Sequence, residues 1–302
     1  MKMLKIAYNE HYVQPLPDGH RFPMEKYDLL PRQLLHEGTV DETAFFSPDL
    51  IHPKHVAAVH NAIYFNDLKA LNIPPRAQRK TGFPHNQRLI QREQIIMEGT
   101  RACAAYALKY GVAMNIAGGT HHAFTDRGEG FCLLNDIAIA SQWLLDEGLA
   151  KKILVIDLDV HQGNGTAEIF RNNPSVYTFS MHGANNYPLH KEVSDLDVPL
   201  PDGTDDKSYL YQLEKHLDEI CSNFVPDFIF FQSGVDVIET DKLGRLALTI
   251  SGCKQRDEIV FRLAHENNIP IVASMGGGYS PEIKHIIEAH ANTFRTAQYT
   301  YF

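Results

Sequence analysis

A chain of 302 residues, 44% hydrophobic and 22% charged, has the make-up of an ordinary globular enzyme and enough length for one large core spanning residues 1–302. Lys plus Arg number 28 against 37 for Asp plus Glu, a net charge of −9; this argues against nucleic acid as a direct partner while suiting a cationic group such as a lysine side chain. No apolar stretch approaches the ~20 residues that cross a bilayer, so no membrane partner is expected. Met1–Tyr8 is too short and charged for a secretory leader, and Cys103, Cys132, Cys221 and Cys253 form no CxxC pair, which points to a cytoplasmic protein with reduced thiols.

Taken in chain order, Leu4–Tyr8 reads as an edge strand, and His55–Leu71 and Leu89–Tyr110 as helices among loops rich in Pro and aromatics. From residue 112 the pattern becomes regular. Val112–Ala117 is a strand, and Asn135–Glu147 is a helix with Asn135 as its N-cap and Gly148 as its stop. Lys152–Asp157 is a strand, Thr166–Phe170 a short helix and Val176–Ser180 a further strand. Leu210, Leu213, Leu217 and Ile220 mark one helix face; Ile259, Val260, Leu263 and Ala264 mark another. Phe228–Gln232 and Pro270–Ser274 are strands, and Pro281–Thr296 is a closing helix with Pro in its first turn. Strands that are apolar throughout and alternate with helices imply a single α/β domain: a mostly parallel sheet with helices on both faces.

Such sheets bind ligands beyond the carboxyl ends of their strands. Asp157, Asp159 and His161 fall at every second position past Ile153–Ile156, so they leave on one side. Three ionisable groups gathered there call for a compensating charge, which a divalent metal supplies. The other strands lead into Gly118-Gly119-Thr120-His121-His122, Ser233-Gly234-Val235-Asp236 and Met275-Gly276-Gly277-Gly278-Tyr279. Four strands thus deliver metal-ligating and proton-transferring groups to one edge. Asp159, His161 and Asp236 form a three-ligand set that leaves a position open for water. Two carboxylates make the metal a weak Lewis acid, so help is needed from His121 and His122 as acid and base and from Tyr279 as an oxyanion donor. Gly163-Asn164-Gly165 invites a dinucleotide reading, but the third glycine of that motif would fall at Glu168.

Gly118-Gly119-Thr120-His121-His122-Ala123, Gly130-Phe131-Cys132-Leu133-Leu134-Asn135-Asp136, the run from Asp157 to Thr166, and Gly276-Gly277-Gly278-Tyr279 closely resemble the zinc-dependent histone deacetylase family. The look is of its bacterial and class IV-like members, and the resemblance runs from His20-Arg21-Phe22-Pro23-Met24 to the closing helix. It implies the arginase/deacetylase fold and hydrolysis of N-acyl-lysine in a protein or peptide. Asp159, His161 and Asp236 would be the zinc ligands, His122 the general base and His121 its electrostatic or acid partner. Tyr279 would polarise the carbonyl, Asp157 would back His121, and Phe131 with Gly130 would form a wall of the acyl-lysine channel. A potassium ion would take Asp157, the Ser180 hydroxyl and the main-chain carbonyls of Asp159, His161 and Met181.

Two departures stand out. Asn164 replaces an Asp found in many members behind the general base, which should keep His122 neutral to lower pH. Met181-His182-Gly183-Ala184-Asn185-Asn186-Tyr187-Pro188 does not match the loop that supplies the opposite channel wall, leaving channel width and acyl length open. An acylated small amine such as an acetylpolyamine is an alternative substrate. A binuclear-manganese ureohydrolase would need a second Asp two residues past Asp236, where Ile238 stands. A non-catalytic acyl-lysine binding module would be expected to lack Tyr279 or a histidine.

Overall fold

The computed structural model describes residues 3–302. Eight strands, all paired in parallel, form one sheet: β1 (Lys5–Ala7), β2 (Phe45–Phe46), β3 (Val112–Asn115), β4 (Ile153–Asp157), β5 (Val176–Gly183), β6 (Leu196–Leu200), β7 (Phe228–Ser233) and β8 (Ile271–Met275). Their order is β2-β1-β3-β8-β7-β4-β5-β6. The helices are α1 (Lys26–His36), α2 (Pro53–Ala57), α3 (Ala62–Ala70), α4 (Pro75–Thr81), α5 (Gln87–Tyr110), α6 (Asp136–Asp146), α7 (Asn164–Phe170), α8 (Asp206–Asn223), α9 (Ile250–Glu266) and α10 (Ile283–Tyr301).

Alternate strand residues serve two cores, which is why the central strands are apolar without interruption. Ile153 and Val155 of β4 and Phe228 and Phe230 of β7 pack with Ala104 of α5 and Leu144 of α6. Leu154, Ile156, Ile229 and Phe231 face the other way, toward Leu213 and Leu217 of α8, Val260 and Phe261 of α9, and Phe294 of α10. Asn135 does cap α6, its side chain accepting from the Ala138 N–H at 3.0 Å. Gly148, at φ +65°, closes the same helix as Gly148 and Leu149 donate back to Leu145 and Leu144.

Several expectations need correction. The strand expected at Leu4–Tyr8 is not an edge, since β1 pairs β2 on one side and β3 on the other. The two residues of β2 are too few to show a pattern, and Pro199 inside β6 argues against a strand; both true edges were therefore unreadable. His55–Leu71 is two helices, α2 and α3, separated at 58–61, with Asn61 capping the second through the Ile63 N–H. Tyr209 rather than Leu210 completes the buried face of α8, and Phe261 rather than Leu263 that of α9. Pro281 precedes α10 instead of lying in its first turn.

Candidate functional site

β4 ends at Asp157, and the buried chain beyond it turns Asp159 and His161 toward Asp236, which follows β7. His161 Nδ1 lies 3.0 Å from Asp159 Oδ1 and 3.1 Å from Asp236 Oδ2. One ligand atom from each of these three residues falls within 4.8 Å of the others, and theirs is the sole such cluster of His, Cys, Asp and Glu among the described residues. Backbone amides fix the carboxylates: Asp159 Oδ1 accepts from the His161 N–H (3.0 Å), Asp159 Oδ2 from the Gly277 N–H (2.7 Å), and Asp236 Oδ1 from the Val160 N–H (2.9 Å).

A metal fits this set on two counts. Asp236 Oδ2 is buried and receives no well-directed hydrogen bond, its nearest polar neighbour being the His161 ring at 3.1 Å, a costly state for a carboxylate unless a cation meets it. Burial, with Asp159 beside it, pushes Asp236 up to about 7. Burial works against a charge on His161 as well, yet Asp159 and Asp236 hold its ring proton up to about 10. The cluster thus demands positive charge, and a divalent cation would replace that proton. Gly277 is required here: a Cβ would collide with the Asp236 carboxylate.

The adjacent histidines enter on the loop after β3. Asp136, at the start of α6, accepts from the Thr120 N–H (2.8 Å), and Gln232 donates to the Gly119 carbonyl (2.8 Å), so the loop is pinned from two sides. Gly119 sits at φ +65°, and a Cβ there would strike the Met275 carbonyl. The rings lie tilted by 42° with centroids 4.0 Å apart but differ in their support. His121 Nδ1 is 2.6 Å from Asp157 Oδ2, and this carboxylate raises His121 above the usual histidine range against the opposing effect of burial. His122 Nδ1 is 2.7 Å from Asn164 Oδ1. Burial, then the charge of His121, drives His122 well below that range. The surroundings thus favour a proton on His121 and disfavour one on His122.

Above the cluster is a cavity of about 290 Å³ bordered by Gly130, Phe131, Tyr187 and Tyr279. Phe131 adopts φ +68°, an uncommon conformation for a bulky residue, and its ring lies 5.0 Å from Phe22 and 6.0 Å from Tyr279, centroid to centroid. Tyr187 closes the opposite side, edge-on to His122 at 4.9 Å, its hydroxyl donating to Glu129 (2.8 Å). The Tyr279 phenol is held well above its usual range, first by burial and then by Asp236 and Asp159, so it keeps its proton. Its backbone N–H donates to Asp241 Oδ2 at 2.5 Å. Ser180 faces Asp157 in register across β4 and β5, with its hydroxyl 3.0 Å from His182 Nδ1, and Met181 follows it into the core.

Three supporting residues escaped sequence reasoning. Tyr187 supplies the wall left open by the unmatched loop. Lys26, fully buried, donates to the Gly276 carbonyl at 2.9 Å; burial brings it down to about 8 against the pull of Asp236 and Asp159. Arg256 donates to the carbonyls of Leu158 (3.2 Å) and Gly234 (2.5 Å), tying together the two loops that carry the acidic pair, and it is itself paired with Asp257 at 2.8 Å. Neither cation sits in a recognisable motif. The one signal was charge interrupting an otherwise apolar helix face.

A sequence profile of the histone deacetylase domain matches residues 20–294. The chain is 41% identical to an uncharacterized protein of a Picosynechococcus species, over 98% of this chain and 99% of that one. It is 30% identical to histone deacetylase 2 of Arabidopsis thaliana, over 95% of this chain and 77% of the relative. The solved structure of a histone deacetylase homolog complexed with SAHA superposes with a TM-score of 0.83 at 26% identity, covering 99% of this chain and 84% of the other. The homolog from Aquifex aeolicus superposes equally well, with a TM-score of 0.83 at 24% identity over the same shares of the two chains.

Proposed function

The chain belongs to the histone deacetylase family, and on that premise we propose that it hydrolyses N-acyl-lysine amides in proteins or peptides with zinc as its cofactor. The observation that carries this reading is the meeting of Asp159, His161 and Asp236 within 4.8 Å, with His161 opening onto an aromatic-walled cavity. These three residues would hold the zinc. When bound, the ion supplies a Lewis acid that polarises the amide carbonyl and makes the attacking water more acidic.

The chain's own groups then divide the proton work. His122, with Nδ1–H donating to Asn164, presents a free Nε2 that takes the proton of the attacking water. His121, whose proton Asp157 favours, stabilises the developing negative charge and gives a proton to the departing amine. Tyr279 donates its hydroxyl proton in a hydrogen bond to the carbonyl oxygen as the carbon becomes tetrahedral. Phe131, Gly130 and Tyr187 flank the extended lysine chain and exclude water from the amide. The products are a free lysine amine and a carboxylate. Residues 1–302 as one catalytic domain, a cytoplasmic location, and a potassium ion at Asp157, Ser180 and the carbonyls of Asp159, His161 and Met181 belong to the same proposal.

Purified protein of measured metal content, assayed against lysine peptides carrying acyl groups of increasing length, tests the reading. Turnover of at least one member of the series is expected. No unmasking of a lysine amine in any of them, with metal bound stoichiometrically, would overturn it.

A further inference from the structure

The mouth of the cavity carries a charge opposite to that of the chain. The protein is −9 overall, yet the charged side chains lining the entrance are Arg21, Lys80 and Arg245, with no carboxylate among the lining residues. Lys80 and Arg245 are more than half exposed and each is already paired with a carboxylate, Glu129 at 3.3 Å and Asp202 at 3.2 Å. Glu129 is already engaged, accepting from the Tyr187 hydroxyl (2.8 Å) and from Arg127 Nε (3.1 Å). Arg21 has no acidic partner among the described residues. Its guanidinium rests 5.0 Å from the centre of the Phe131 ring, a stacked position that leaves its donors free at the entrance.

The location of this charge selects between the two halves of a substrate. The scissile amide must lie at the floor, beside Asp159, His161 and Tyr279, so the acyl group points inward and the amine-bearing half extends to the rim. Resting on the acyl-amide hydrolase reading above, we infer that the mouth favours substrates whose amine-bearing half carries a carboxylate, and that Arg21 is the residue that meets it. That carboxylate can come from an acidic residue next to an acyl-lysine or from the free α-carboxylate of a single acyl-lysine. Acylated polyamines, cationic beyond the amide, are disfavoured by the same unpaired Arg21.

The test uses the zinc-loaded, full-length protein and a matched set of acyl-lysine substrates. One arm varies the flanking residue among Asp, Gln and Lys in end-blocked peptides. A second compares α-N-blocked acyl-lysine as free acid and as amide. An acetylated polyamine completes the set. An exposed charge contact changes an equilibrium by about two- to fivefold. The Asp peptide or the free acid is therefore expected to exceed its neutral counterpart by about that factor in kcat/KM, mostly through KM, with the Lys peptide and the polyamine below neutral. The advantage shrinks as salt is raised, because screening acts on exposed charges. Arg21→Gln brings the acidic-to-neutral ratio toward one, whereas Arg262→Gln, on the exposed side of α9, leaves the ratio as in the parent. An acidic-to-neutral ratio of one in the parent protein, or a ratio kept in Arg21→Gln, overturns the inference while the hydrolase reading stands. Failure to cleave any substrate of the set overturns both.

Discussion

Replacing Asn164 by Asp isolates the charge behind the histidine base, because the two side chains have the same shape and the contact to His122 is already made at 2.7 Å. The amide oxygen accepts the His122 Nδ1–H but brings no net charge. As a result, burial and the neighbouring His121 dominate, and the ring is held far below the ordinary histidine range. A carboxylate centred about 4 Å from the imidazolium contributes up to roughly 4 kcal/mol at an effective dielectric of ~20, or about 3 pH units at 1.36 kcal/mol each. Part of that gain is offset by desolvation of the new carboxylate, so a rise of about 1–3 units is expected. Asp is tolerable at this position because residue 164 opens α7, where a helix N-terminus favours negative charge. The sign follows from the base having to be unprotonated: raising the pKa of His122 moves the acid limb of kcat/KM to higher pH. The assay is the pH profile of kcat/KM for Asn164→Asp beside the parent protein, with Asn164→Ala as a variant that loses orientation without gaining charge. An unmoved acid limb in folded Asn164→Asp would refute the assignment of His122 as the base that Asn164 orients.

Tyr279→Phe is expected to lower kcat by ~10²–10³, the loss typical of one oxyanion donor, with a small change in KM; near-normal turnover would remove the tyrosine from the mechanism. Arg256→Leu leaves Asp257 buried without its partner and frees the Leu158 and Gly234 carbonyls. It is expected to cost about 3–5 kcal/mol in denaturant unfolding, and a loss below ~1 kcal/mol would show that the clamp contributes little.

The parts of this molecule that sequence makes legible are those where local chemistry and the fold agree. Asn135 and Gly148 bound α6 because a cap and a left-handed stop act within a few residues. Asp157, Asp159 and His161 could be read because a continuous apolar strand precedes them and the ends of parallel strands share one edge. What stayed hidden depends on distant packing. The place of β1 inside the sheet requires β2, two residues long, some forty positions away. Lys26 and Arg256 each interrupt an apolar helix face without belonging to a motif, and they are buried because the Gly276 loop and the two aspartate loops close over them. Tyr187 lies in a loop with no matching motif, and its place opposite Phe131 follows from how that loop returns to His122.

Removing bound metal with a chelator and restoring zinc in measured increments, while following acyl-lysine hydrolysis, tests the central claim most directly. Activity should vanish with the metal, return in proportion to added zinc and saturate at a single equivalent per chain, and it should not return in Asp236→Ala. Full turnover by metal-free protein, or saturation only at a second equivalent, would contradict a mononuclear site built from Asp159, His161 and Asp236.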